Sequence, residues 1–219
     1  MDSIQNNEAT VITGPRMNQP APEFDAVTTH GNRKLSDYKG KWLVLFSHPA
    51  DFTPVCTTEF IAFAKRQNEF TQLNTELLGL SIDSHYSHLA WVRNIKEKFN
   101  VDVNFPIIAD LSMKVANDYG MIQPGASDTS AVRATFIIDD KGILRAMVYY
   151  PMTNGRSIDE ILRLVTALQT SDENGIATPE GWQPGDKVIV PPPATTEAAE
   201  ARMNEGYECT DWYFCKKSL

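Results

Sequence analysis

Five apolar residues in a row, Trp42-Leu43-Val44-Leu45-Phe46, leave no polar alternation and predict a strand buried on both faces. From Thr57 to Leu73 the period lengthens. Phe60, Phe63 and Phe70 fall on roughly one side, with Ile61 and Ala64 beside them, and predict a helix packed through that face. A second apolar run, Leu77 to Ile82, predicts another buried strand, and Trp91, Val92, Ile95 and Phe99 mark a helix from about Ser87 to Phe99. Phe136-Ile137-Ile138, the turn residues Asp139 to Gly142, and Ile143 to Tyr149 read as a hairpin. Ile158, Ile161, Leu162, Val165 and Leu168 form the cleanest amphipathic stripe in the chain. These stripes are core. Alternating strands and helices point to an α/β fold with parallel crossovers, and the hairpin adds an antiparallel part, so the sheet is expected to be mixed.

The pattern also divides the chain. Residues 1–19 are polar and aperiodic and read as a flexible N-terminal arm, and 20–169 carry the main domain. After Gln169 the chain is punctuated by Gly175, Pro179, Gly181, Pro184 and Gly185, then stiffened by Pro191-Pro192-Pro193. A short Ala- and Glu-rich helix from about Thr195 to Asn204 leads to a tail from Cys209 to Cys215. Residues 170–219 hold too little apolar material to fold alone, so they form a small extension packed on the main domain or on another subunit. Trp212-Tyr213-Phe214 are expected to anchor it by burial.

Composition narrows the classes. At 219 residues the chain can bury a full core, and a net charge of −8 with a pI near 5.0 argues against a nucleic-acid partner. The N-terminal residues have neither the basic start nor the apolar stretch of a secretory signal, and no apolar run approaches the ~18 residues of a membrane span. A soluble cytoplasmic protein without a membrane partner is expected. Its three cysteines are an odd number in a chain with a full core, which argues against a structural disulfide framework and for redox chemistry.

The candidate chemistry lies between the first strand and helix, in Pro49-Ala50-Asp51-Phe52-Thr53-Pro54-Val55-Cys56. Thr53 suits an N-cap and Pro54 the first helical position, which puts Cys56 third in the helix. Free amides and the positive end of the helix dipole stabilise a thiolate there, and the thiolate is the nucleophile. The plainer alternative is a small buried core cysteine. A disulfide reductase would need a second cysteine at position 53, where Thr53 stands. Cys209 and Cys215, with His85 and His88 as distant partners, fit no standard zinc spacing, so no metal is expected. His48 suits a hydrogen-bonded strand-end histidine, and Arg133 would by composition be a solvated cation.

Pro49-x-x-x-Thr53-x-x-Cys56 resembles the active-site pattern of the peroxiredoxins, thiol peroxidases of the thioredoxin-like superfamily. The longer run FSHPADFTPVCTTE from Phe46 to Glu59 looks like the one-cysteine subfamily with a long C-terminal domain; SIDSHYSHLAW (81–91), Arg133 to Ile137 and ATPEGWQPGD (177–186) extend the match. The resemblance implies a thioredoxin-like mixed sheet flanked by helices, with a small C-terminal extension domain. It also implies a cofactor-free peroxidase reducing hydrogen peroxide and organic hydroperoxides to water and alcohols, in antioxidant defence and redox homeostasis. In that reading Cys56 becomes a sulfenic acid, Pro49 shields it, and Thr53 and Arg133 support the developing charge. Arg133 and His48 meet the peroxide, Cys215 resolves the sulfenic acid and Cys209 is auxiliary or exchanges with Cys215. The cysteine pair departs from strict one-cysteine members. The family further implies a thioredoxin-like or small-thiol reductant and a homo-oligomer, either a dimer or a decameric ring. A non-enzymatic holdase with Cys56 as an oxidation sensor is the reading from another class.

Overall fold

The computed structural model describes residues 14–219, so the N-terminal arm expected over 1–19 lies mostly outside the described residues. Elements follow in the order β1 (Asp25–Thr28), β2 (Gly31–Lys34), a 3-10 turn (Leu35–Tyr38), β3 (Trp42–Ser47), α1 (Pro54–Gln72), β4 (Thr75–Ser81), α2 (His85–Phe99), β5 (Ile107–Ala109), α3 (Lys114–Asp118), β6 (Arg133–Ile138) and β7 (Leu144–Tyr150). After these come α4 (Ile158–Asn174), β8 (Val188–Val190), α5 (Thr196–Arg202), β9 (Glu208–Asp211) and β10 (Phe214–Lys217). The chain forms two compact units, one of residues up to Ala64 with Glu76–Gly155, the other of Lys65–Thr75 with Arg156–Leu219.

The first unit is built on a seven-stranded sheet in the order β2-β1-β5-β4-β3-β6-β7. β4 and β5 run parallel, whereas β3 with β6 and β6 with β7 are antiparallel, so the mixed sheet expected from the sequence is present. All six residues of β3 and of β6 are buried, as the unbroken apolar run of β3 requires, and β6 carries Arg133 and Thr135 into the interior with it. Alternate side chains of β3 serve opposite faces. Leu43 and Leu45 join a cluster with Leu78, Leu80, Ile108, Tyr119 and Phe136. Phe46 stacks on Phe63 of α1 at 4.1 Å between ring centres and meets Phe60 and Phe105 edge-on. The phenylalanine stripe of α1 thus fixes the helix to the strand that delivers the site. Gly79 of β4 makes room for it: a Cβ there would lie 3.1 Å from Cζ of Phe60, which is fully buried and has nowhere to retreat.

Helix starts follow the local sequence. Ser84 caps α2 by accepting from the Ser87 amide, and Ser157 caps α4 by accepting from the Glu160 amide. In the second unit α4 ends at Gly175, in the left-handed region at φ 59°, and Ala167, Ile176, Trp182 and Val188 form a small core. The tail folds as a three-stranded sheet in the order β8-β10-β9. The aromatic anchor expected there is not formed by burial, since Trp212, Tyr213 and Phe214 are 42%, 54% and 39% exposed. They lie in and around the β9–β10 turn, and the buried side chain of that hairpin is Cys215. Among the described residues no helix is long and apolar enough to cross a membrane.

Candidate active site

The site begins where β3 is pinned to β6. The Ser47 hydroxyl donates to the Val132 carbonyl at 2.6 Å and accepts from the Ala134 amide at 3.1 Å, so the two bonds straddle Arg133. Both groups are buried, and this fixes the start of β6 against the end of β3. The chain then turns through Pro49 to Thr53 into α1. Phe52 takes φ 55°, a left-handed conformation that costs a non-glycine residue roughly 1–2 kcal/mol, and its side chain is exposed. The turn is therefore strained where it hands the chain to the helix.

Pro54 is the first residue of α1, which makes Cys56 the third, as its neighbours predict. The role expected of Thr53 differs in one respect. Its carbonyl accepts from the Thr57 amide at 3.0 Å, but its hydroxyl donates to the Ala50 carbonyl at 2.8 Å and closes the turn on itself. With its one proton so engaged, the hydroxyl can meet a substrate only as an acceptor unless it rotates.

Cys56 is free and has no accessible surface. Arg133 sits beside it. Its Nη1 lies 3.4 Å from Cys56 Sγ and 2.7 Å from Glu59 Oε2, and its Nε donates to the Met152 carbonyl at 2.8 Å. The two N–H bonds of Nη1 suffice for the sulfur and the carboxylate together. Arg133 and Glu59 form a buried ion pair, 3% and 2% exposed, so the solvated arginine suggested by composition is not found here. Glu59 escaped the sequence reading, although the signal was present: it lies three residues after Cys56, on the same face of a helix.

The charge balance decides what this arrangement does. With a thiol at Cys56 the guanidinium and the Glu59 carboxylate cancel; with a thiolate the site carries one net negative charge, held by a directed N–H donor and the first turn of α1. The Met152 carbonyl and the Glu59 carboxylate accept from the guanidinium and hold it in place, so it need not reorganise as charge changes at the sulfur.

His48, on the turn after β3, is fully buried, and its Nε2 lies 2.9 Å from Asp51 Oδ1. The other Asp51 oxygen is 2.8 Å from Nδ1 of His88 on α2. Asp51 and its bridging role were not visible in the sequence, because nothing local shows that α2 returns to this turn. Burial pulls the His48 pKa down. Burial pushes the Asp51 carboxyl up, but hydrogen bonds from His48 and His88 outweigh it and hold that carboxyl well below the usual range.

The remaining cysteines are bonded to each other. Cys209 and Cys215 face one another across the β9–β10 ladder and form a disulfide, the pair that the resemblance linked by exchange. The strands that place them opposite one another carry too few apolar residues to be read from pattern. The disulfide also removes both thiols from any metal set with His85 and His88, and His88 is engaged with Asp51.

A thioredoxin-like α/β unit with a buried thiol on a helix start, backed by an arginine, defines a thiol-dependent oxidoreductase. The AhpC/TSA family model matches residues 17–147, and the model for the C-terminal domain of 1-Cys peroxiredoxin matches residues 167–206. A peroxiredoxin of Aquifex aeolicus is 60% identical over 95% of this chain and 99% of its own. Peroxiredoxin 2 of Caldanaerobacter subterraneus is 56% identical over 94% of each chain. Among solved structures, a yeast mitochondrial 1-Cys peroxiredoxin superposes with a TM-score of 0.82 at 41% identity, covering 93% of this chain and 99% of that one. Peroxiredoxin 6 of Arenicola marina gives a TM-score of 0.82 at 34% identity, covering 94% and 98%. The chain belongs to the peroxiredoxin family and is a peroxidase.

Proposed function

We propose that this peroxidase reduces hydrogen peroxide and small organic hydroperoxides through Cys56, with Cys215 as the resolving thiol and Cys209 as an exchange partner. The observation that carries the proposal is the Arg133 Nη1 shared between Cys56 Sγ and Glu59. The Cys56 thiolate attacks one peroxide oxygen, an S–O bond forms as the O–O bond breaks, and the leaving oxygen takes a proton to become water or an alcohol. Arg133 and the first turn of α1 stabilise that charge, Pro49 covers the sulfur, and Thr53 and His48 orient the peroxide.

The sulfenic acid then condenses with the Cys215 thiol to give a disulfide and water. Cys209 attacks the Cys215 sulfur, forms the Cys209–Cys215 disulfide and releases Cys56 as a thiol. A dithiol or small-thiol reductant returns the pair to the reduced state, so each cycle moves two electrons from reductant to peroxide. The Cys209–Cys215 disulfide is consistent with the end of that sequence. The yeast mitochondrial 1-Cys peroxiredoxin has its thiol resolved via glutathione and thioredoxin systems, which supports the same classes of reductant here. Because Cys56 and Cys215 are both fully buried, resolution requires local opening of α1's first turn and of the tail hairpin.

We further assign the chain to cytoplasmic antioxidant defence as a homo-oligomer, with residues 20–169 as the peroxidase domain and 170–219 as the resolving extension. The test is Cys215→Ser. Single-turnover oxidation of Cys56 should keep its rate, while steady-state turnover with a dithiol reductant should be lost. Undiminished turnover in this variant would rule out Cys215 as the resolving thiol.

A further inference from the structure

The buried chain His48–Asp51–His88 has a proton count that its hydrogen bonds determine. His88 Nε2 lies 3.1 Å from the Ile108 carbonyl, and a carbonyl only accepts, so that nitrogen carries a hydrogen. The contacts of 2.8 Å from His88 Nδ1 and 2.9 Å from His48 Nε2 to the two Asp51 oxygens each need one proton between them. Three protons on a carboxylate and two imidazoles sum to zero net charge. With Asp51 ionised, His88 is an imidazolium and His48 a neutral ring protonated at Nε2.

Neighbouring states are worse. Removing one proton breaks one of the three hydrogen bonds and leaves a net negative charge among side chains that are fully buried or nearly so. Adding one puts a hydrogen on His48 Nδ1, which is buried and has no partner among the described residues; an orphaned N–H is rarer and more costly than an unfilled lone pair. The rings of Phe60 and Trp91 pack on His48 at 4.8 and 5.1 Å, and the Trp91 N–H, a donor only, is given to the Thr57 hydroxyl. Asp83 also faces the chain and accepts from the Asp51 amide at 3.0 Å and from Ser81 Oγ at 2.7 Å. The depression of the His48 and Asp51 pKa values runs the same way.

We propose that Asp51 and His88 are positioning residues of the peroxidase reaction: as a carboxylate–imidazolium pair they lock His48 in its Nε2–H tautomer and hold Nδ1 as a bare acceptor for an incoming O–H. The imidazolium also cancels the Asp51 charge, which stands five positions before the Cys56 thiolate. The kinetic half of this inference rests on Cys56 being the reacting thiol; the protonation pattern stands by itself.

The test is nitrogen-15 NMR of histidine-labelled, full-length wild-type protein near neutral pH, with resonances assigned through His88→Gln and His48→Asn. Both His88 nitrogens should be protonated, with His48 protonated at Nε2 alone. A bare nitrogen on His88, or a hydrogen on His48 Nδ1, would overturn the inference whatever the activity. In the kinetic arm, Asp51→Ala should slow Cys56 oxidation by about tenfold, below the range of full general acid–base effects because one tautomer remains populated. Asp51→Asn can still accept from His48 and donate to a neutral His88, so it should recover most of that loss. Equal rates for the two variants would refute the positioning role.

Discussion

Replacing Arg133 with methionine is expected to slow the reaction of Cys56 with hydrogen peroxide by on the order of 10²–10³, the usual effect of removing one preorganised donor from a site of developing charge. The guanidinium is 3.4 Å from the sulfur and is fixed by Glu59 and the Met152 carbonyl, so it is preorganised to meet the charge. Arg133→Lys should fall between wild type and methionine. A lysine keeps the charge, but its compact ammonium cannot reproduce the planar fork that serves Met152 through Nε and the sulfur and carboxylate through Nη1. The measurement is stopped-flow intrinsic fluorescence of the reduced protein mixed with peroxide. A rate for the methionine variant within about threefold of wild type would mean that Arg133 holds the fold rather than the charge, far short of that expected loss.

Glu59→Ala should produce the largest loss of stability, about 3–5 kcal/mol, because it strands a buried guanidinium without its carboxylate. For a chain of this size each kcal/mol moves Tm by about 2–4 °C, so melting under reducing conditions should fall by roughly 6–20 °C. Glu59→Gln keeps an acceptor for Nη1 and should lose less. The pair of variants separates the hydrogen bond from the charge: equal losses would mean that the carboxylate's charge, not its lone pairs, holds Arg133. An alanine variant that melts with wild type would show that the Arg133–Glu59 pair is dispensable.

Much of this architecture could be read from local pattern. The unbroken run at Trp42–Phe46, the phenylalanine stripe of α1 and the stripe of α4 give their elements because burial forces the periodicity. Cys56 was legible from local signals of another kind: Thr53 and Pro54 mark a helix start, and a thiol there has a chemical meaning. What escaped depends on distant chain. Short polar strands such as β1, β2, β9 and β10 carry little apolar signal, although β1 with β2 and β9 with β10 pair as local hairpins. Thus the exposure of Trp212, Tyr213 and Phe214 went unforeseen, and Cys209 and Cys215 were linked only by the resemblance. Arg133 was marked by resemblance alone, since its partners Glu59 and Cys56 are 74 and 77 positions away. The Asp51 bridge is harder still, joining a turn to a helix 37 positions on.

In the proposed cycle Cys56 is the thiol that meets peroxide and passes its oxidation to the tail. Acid-quenched peptide mass mapping of the fully reduced protein, at successive times after one equivalent of hydrogen peroxide, tests this directly. Wild type should show a Cys56–Cys215 bridge that gives way to Cys209–Cys215 with Cys56 returned to a thiol, and Cys56→Ser should form neither disulfide at a comparable rate. A Cys209–Cys215 disulfide appearing equally fast in Cys56→Ser, or peroxide left unconsumed beside three intact thiols in wild type, would contradict it.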